Sequence, residues 1–183
     1  MLLDRLRGQG EENDAMRAGT AFHSFLEHAQ PGESVTEFDS DGIHFVLDLD
    51  DELAVPRVRE CKTEKQYVVD GLPVTLVAKA DTVEGRIVSD YKLSADFDAE
   101  KYTESMQWRA YLVLFDADRF DYCVFSNKRK GDTVTVTDFD RMSFYRYPEV
   151  EADVVRCLKD LVRFMVKHVP ERLTFGDEKI LTF

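Results

Sequence analysis

The sequence predicts a mixed α/β fold, a central mixed β-sheet flanked by α-helices. Three observations carry that expectation. Amphipathic helical stretches open, divide and close the chain, with strand-like runs between them. Two glycine-bearing dipeptides, Asp70-Gly71 and Glu84-Gly85, separate strand-like runs at hairpin spacing. The 183 residues, 44% apolar and 11% aromatic, suffice for one core. No repeat, linker or low-complexity segment interrupts them, so a single domain over 1–183 is expected.

The first helix is read over 17–29, "RAGTAFHSFLEHA", where Phe22, Phe25, Leu26 and Ala29 form one stripe. Gln30-Pro31-Gly32 ends it. "IHFVLDL" (43–49) alternates Ile43, Phe45, Leu47 and Leu49 and reads as a strand. "KQYVV" and "LPVTLVAKAD" make a hairpin around Asp70-Gly71, and the Glu84-Gly85 turn joins "VTLVAKADTV" to "RIVSDYKL". "YTESMQWRAYLVLF" (102–115) reads as one helix with Trp108, Leu112 and Phe115 on its apolar face. "DYCVFS" and "TVTVTDF" pair across "NKRKGD", and "SFYRY" adds a further strand. The last helix runs from about Glu149 to His168, with Val154, Leu158, Leu161, Val162 and Met165 facing the core.

Composition excludes several classes. No apolar run approaches the roughly 20 residues of a membrane helix. The opening "MLLDRLRGQGEEND" lacks a signal-peptide core. Cys61, Cys123 and Cys157 are dispersed and odd in number, which argues for a reducing compartment and against disulfides. Without a CxxC pair, neither a zinc ribbon nor an iron–sulfur cluster is expected. The net charge of −12 opposes nucleic-acid binding on average. The charge is uneven, however. Glu37 to Glu52 holds seven acids and no Lys or Arg, whereas Lys101 to Lys130 holds six basic residues and four acids.

The chemistry concentrates in "RIVSDYKLS" (86–94). On a strand, Asp90 and Lys92 point one way and Tyr91 the other. With Glu84-Gly85 as a two-residue loop, Asp81 falls opposite Val88 and diagonal to Asp90, roughly 7–8 Å away. Two carboxylates so placed can share a divalent ion, with oxygens at about 2.1 Å. Without a cation, converging acids beside a half-buried lysine are costly. Such a set suits metal-assisted phosphodiester hydrolysis, with Lys92 orienting or deprotonating water or neutralising the phosphate. Taken alone, D-x-K recurs by chance, and Asp90–Lys92 is then a surface pair.

Asp81…Asp90-Tyr91-Lys92 resembles the core of the PD-(D/E)XK nuclease superfamily. More narrowly it is similar to the RecB-like exonuclease branch of CRISPR adaptation nucleases, AddAB/RecB nuclease domains and phage exonucleases. Three further marks follow that branch's order. They are Gly19…His23…Glu27 for G-x-x-x-H-x-x-x-E, Ala78-Lys79-Ala80-Asp81 for G-x-x-D, and Gln107…Tyr111 for Q-x-x-x-Y. The marks span residues 19–111, about half the chain. Ala78 departs from the usual glycine, which lets a backbone bend or approach closely.

The resemblance implies a restriction-endonuclease-like core and a Mg²⁺ or Mn²⁺ site held by His23, Asp81, Asp90 and the Tyr91 carbonyl. It implies catalytic roles for Lys92, Asp90, Asp81, Gln107 and Tyr111. Gln107 then holds Lys92 or a phosphate, and Tyr111 contacts a phosphate or stacks on a base. Glu27 sits one helical turn from His23 and either orients the imidazole or lies near the metal. Glu64 stands roughly where relatives carry an acid one strand earlier, for a second metal or the attacking water; a solvated strand-start glutamate is the plainer reading. Lys128, Arg129 and Lys130 form either a phosphate clamp or a solvated turn.

The function so implied is a metal-dependent DNA exonuclease of phage or bacterial recombination and repair. It would work in the cytoplasm of a bacterium or an infected host cell, beside a single-strand annealing or other recombination protein, and with no membrane. The alternatives are an acidic non-catalytic binding module or DNA mimic, and an RNA nuclease on the same scaffold.

Overall fold

The computed structural model describes residues 13–50, 53–170, 173 and 180–182. The N-terminal stretch read above for a missing leader lies almost wholly outside them. Asn13 caps helix α1 (Asp14–His28) through its side chain, which accepts the Met16 N–H at 2.9 Å. The helix therefore starts three residues earlier than its apolar stripe suggests. Its buried stripe is Ala18, Ala21, Phe22 and Leu26.

Short strands follow: β1 (Ser34–Val35), β2 (Glu37–Ser40), β3 (Ile43–Leu47) and β4 (Leu53–Ala54). The β3 burial alternates as predicted. β5 (Arg59–Val69) and β6 (Leu72–Glu84) form a long hairpin. Asp70 (φ 48°) and Gly71 (φ 83°) are both left-handed, as a type I′ turn requires. β7 (Ile87–Ser94) runs antiparallel to β6 and parallel to β8 (Arg119–Lys130). β8 turns into β9 (Thr133–Tyr145), so Ser143–Tyr145 of "SFYRY" continue β9 instead of forming a further strand. α4 (Val150–His168) buries Val154, Leu158, Val162 and Met165. β10 (Ile180–Thr182) pairs parallel with Thr75–Val77 of β6.

The main sheet is mixed, ordered β5-β6-β7-β8-β9-β3-β2. α1 packs on one face, in a cluster with Phe22, Phe45 and Phe125. The opposite face carries α3 (Gln107–Leu114) and α4, around Tyr111, Phe120, Tyr122 and Leu158. The expected central mixed sheet flanked by helices is what the chain forms. No helix among the described residues is long and apolar enough to cross a membrane.

Two local expectations need correction. The β6–β7 loop is Gly85-Arg86, because Glu84 pairs with Ile87, Val83 with Val88 and Thr82 with Ser89. Gly85 (φ 60°) takes the first central position, where a type II′ turn wants its left-handed residue. Arg86 then clasps Asp118 at 2.6 and 2.9 Å, tying the turn to the start of β8. The stretch 102–115 is not one helix. α2 (Ala99–Glu104) ends at Ser105, whose backbone is extended (φ −62°, ψ 137°), and α3 restarts at Gln107. Ser105 Oγ accepts the Gln107 N–H at 3.2 Å, offering the backbone an alternative to helix continuation.

Both ends of α1 are clasped by arginines from the sheet. At its start, Arg129 donates to the Asp14 carbonyl at 2.9 Å. At its end, Arg59 donates to the carbonyls of Leu26 and, at 2.8 Å, Ala29. Those last carbonyls have no intrahelical partner, and the helix dipole favours a cation there.

Candidate active site

β6 and β7 pair over only three rungs, Thr82–Glu84 with Ile87–Ser89, and then splay apart. The fork coincides with a break in alternation. Ala78 and Ala80 pack in the α3–α4 layer, and so does Val83, an odd step further on. Asp81 sits at that break. The corrected register carries Asp81 level with Asp90 instead of diagonal to it, one rung beyond the last pair.

From the fork Asp81 meets the α1 side. Its Oδ1 accepts from His23 Nδ1 at 3.1 Å and its Oδ2 from the Tyr91 backbone N–H at 2.6 Å. Asp90 points to the α3 side. Its Oδ1 accepts from Gln107 Nε2 at 2.7 Å, and Gln107 Oε1 accepts from the Tyr122 hydroxyl at 3.3 Å. The helix break at Ser105 is what sets Gln107 at the first turn of α3, aimed at β7. Lys92 Nζ lies 2.6 Å from Asp90 Oδ2 and is the charge that faces this buried oxygen. The Asp90 side chain is 6% exposed and that of Lys92 35%, so the pair runs from the interior towards solvent.

Electrostatics follow from this packing. Burial pushes the Asp90 carboxyl above the ordinary carboxylate range, against the Lys92 charge that pulls it down. Burial draws the His23 imidazole down, but the hydrogen bond and charge of Asp81, with Asp90 behind, outweigh it and leave His23 above 6.5. Because the folded value is the higher one, the stability contributed by His23 is full below pH 6.5 and is lost as pH rises through the folded value. In EDTA, NMR titration of His23 is expected to give a midpoint above 6.5, and Asp81→Asn to bring it down to 6.5 or lower. A wild-type midpoint below 6.5 contradicts this balance.

The sequence-predicted residues divide clearly. His23, Asp81, Asp90, Lys92 and Gln107 converge from α1, β6, β7 and α3, with the Tyr91 backbone at their centre. Gln107 holds Asp90 rather than Lys92. Tyr111 is 1% exposed and its hydroxyl donates to the Lys79 carbonyl at 2.7 Å, so it cannot stack on a base. Instead it fixes the β6 backbone two residues before Asp81, and burial raises its phenol to about 12. Arg129 is spent on Asp14, and Lys128 and Lys130 alternate to the sheet face that carries α3.

Glu64 is misplaced. It pairs with Val77, four residues and about 13 Å along the strand from the level of Asp81. The acid level with Asp81 is Glu60, held in a left-handed conformation (φ 56°). His23, Glu27, Glu60, Asp81, Arg59 and Tyr91 are among the residues lining one small, solvent-open cleft. Counting back from the Asp70-Gly71 turn pairs residue 60 with residue 81, so hairpin arithmetic alone points to Glu60. Tyr122, which braces Gln107, carries no motif.

Among the described residues, no three His, Cys, Asp or Glu side chains converge tightly enough to form a finished metal cage. The donor types nevertheless fit a hard divalent cation: an imidazole, two carboxylates and a carbonyl. Asp90 Oδ2, buried and met by the Lys92 ammonium alone, is an oxygen that such a cation can share.

No protein-family model matches the chain, and no curated protein matches it. The crystal structure of SSO0001 is similar at 19% identity and a TM-score of 0.46, over 61% of this chain and 52% of that one. The chain thus spans about half the length of that protein.

Proposed function

We propose that the chain is a Mg²⁺- or Mn²⁺-dependent nuclease that hydrolyses DNA from its ends. The observation that carries this reading is the convergence of His23, Asp81, Asp90, Lys92 and Gln107 at one strand fork, matching in order and type the motifs of the RecB-like branch. His23, Asp81, Asp90 and the Tyr91 carbonyl would hold the ion. A bound divalent ion supplies Lewis-acid activation of water and neutralises charge on the phosphate.

The protein's own part is positional and protonic. Tyr122 fixes Gln107, Gln107 fixes Asp90, and the Tyr91 N–H with His23 fixes Asp81. Lys92 is the half-exposed end of this chain of contacts. In this reading its ammonium, 2.6 Å from Asp90 Oδ2, takes up or delivers a proton or offsets charge in the transition state. The test is digestion of end-labelled linear DNA beside a closed circle, with Mn²⁺, Mg²⁺ or EDTA. Metal-dependent loss of the linear DNA alone is expected. Nicking of the circle keeps the chemistry but makes the enzyme an endonuclease, and RNA cleaved in preference to DNA changes the substrate.

A second reading, an acidic binding module without catalysis, draws on the charge of −12 and on the unfinished cage. Thermal stabilisation by Mn²⁺ separates the two, since a DNA mimic gains nothing from the ion.

Lys128 and Lys130 are exposed beyond the C-terminal end of β7, on the face that carries Asp90 and Lys92. In this reading they meet phosphates. Lys128→Ala/Lys130→Ala is expected to weaken DNA binding and to lower the salt slope by about one for each lysine removed. An unchanged slope returns both to a solvated turn.

A further inference from the structure

The strand fork holds a second lysine that the catalytic reading does not use. Lys79 lies on β6, two residues before Asp81, with its carbonyl pinned by the Tyr111 hydroxyl at 2.7 Å. Its ammonium forms an ion pair with Glu60 and lies 3.9 Å from Glu27. Both acids line the cleft that also holds His23 and Asp81. Glu60 Oε2 is buried, and the Lys79 ammonium in contact with it is its counter-charge.

We propose that Lys79 is the built-in second cation of this cleft, holding Glu27 and Glu60 together and limiting the site to one divalent ion. The inference rests on the metal-dependent reading above. Three carboxylates and an imidazole from α1, β5 and β6 line one small cleft, with the Arg59 guanidinium beside them engaged by the α1 carbonyls. Carboxylates gathered this closely repel one another unless a cation sits between them. One ammonium already occupies that role on the outer side, and a divalent ion placed beside it meets like charge and loses two ligands to it. Lys79 is 51% exposed, but it is not a freely waving surface lysine, because its backbone is fixed from the other face of the sheet. It is a positioning residue, and its effect is on ion number.

The test is Mn²⁺ titration of EDTA-stripped protein, by calorimetry and by electron paramagnetic resonance of free Mn²⁺, with circular dichroism to check folding. Wild type is expected to bind one ion per chain, Lys79→Gln two, and Lys79→Arg one. Adding Glu60→Gln to Lys79→Gln should return the count to one. One ion in folded Lys79→Gln, or two in wild type, overturns the role of Lys79 and leaves the metal site standing. No binding by any variant removes the metal reading itself, and this inference with it.

Discussion

Lys92→Ala is expected to lower metal-dependent DNA cleavage by about 10²–10⁴-fold, the range for losing a positioned acid–base or charge-stabilising group. The fold should survive. Asp90 loses the cation 2.6 Å from its Oδ2, but burial already favours its protonated form, which limits the cost of the lost charge in the metal-free protein. Its Oδ1 keeps the hydrogen bond from Gln107. Lys92 is not a ligand, so Mn²⁺ should still stabilise the variant, and by more in proportion, because no ammonium competes for Oδ2. Cleavage rates and thermal midpoints with and without Mn²⁺ separate these effects. Wild-type cleavage by Lys92→Ala takes the lysine out of the mechanism.

Asp81→Ala is expected to damage fold and chemistry together. Asp81 accepts from both His23 and the Tyr91 N–H, so its removal strands a part-buried backbone donor at about 1–3 kcal/mol and frees the imidazole. Cleavage should fall by about 10²–10³-fold or more, as when a preorganised electrostatic group is removed. Asp81→Asn keeps an acceptor for the Tyr91 N–H and is expected to recover most of the stability but not the activity. Denaturant melts and cleavage assays on the pair decide the matter. If Asp81→Asn cleaves normally, the carboxylate charge has no role.

The sheet and most of the site are legible in the sequence because local chemistry governs both. Asp-Gly at 70–71 has one common use, a type I′ hairpin, and the register that follows is correct along all of β5 and β6. Glu84-Gly85 has no such single use. A left-handed glycine can sit first or second in a two-residue loop, and placing it second sets Asp81 diagonal to Asp90 when the two are level. The same motifs still meet at the fork, although Asp81, at the break in alternation, turns to the α1 side while Asp90 faces α3, where a regular hairpin places both on one face.

What stays hidden depends on tertiary contacts. The apolar face of Trp108, Leu112 and Phe115 gives no sign that the Ser105 hydroxyl breaks the helix ahead of it. Tyr111 matches a motif, yet only the packing of α3 on β6 reveals that its hydroxyl is already spoken for. Glu60 lies within reach of hairpin counting from Asp70-Gly71, and only its left-handed backbone has no sequence signature.

The arginine clasps at the two ends of α1 bear on how His23 is delivered. Helix ends ordinarily fray first, and amide exchange there reports local opening far below the global unfolding free energy. Arg129 reaches the first turn from the β8–β9 hairpin and Arg59 the last from β5, so both fraying points are tied to strands distant in sequence. α1 is therefore expected to open as one cooperative unit with the sheet, so its hydrogen-bonded amides, from Arg17 to Ala29, share similar protection. Arg59→Ala releases one end, and the loss of protection should spread inward from Ala29 towards His23 while the amides near Asp14 keep theirs.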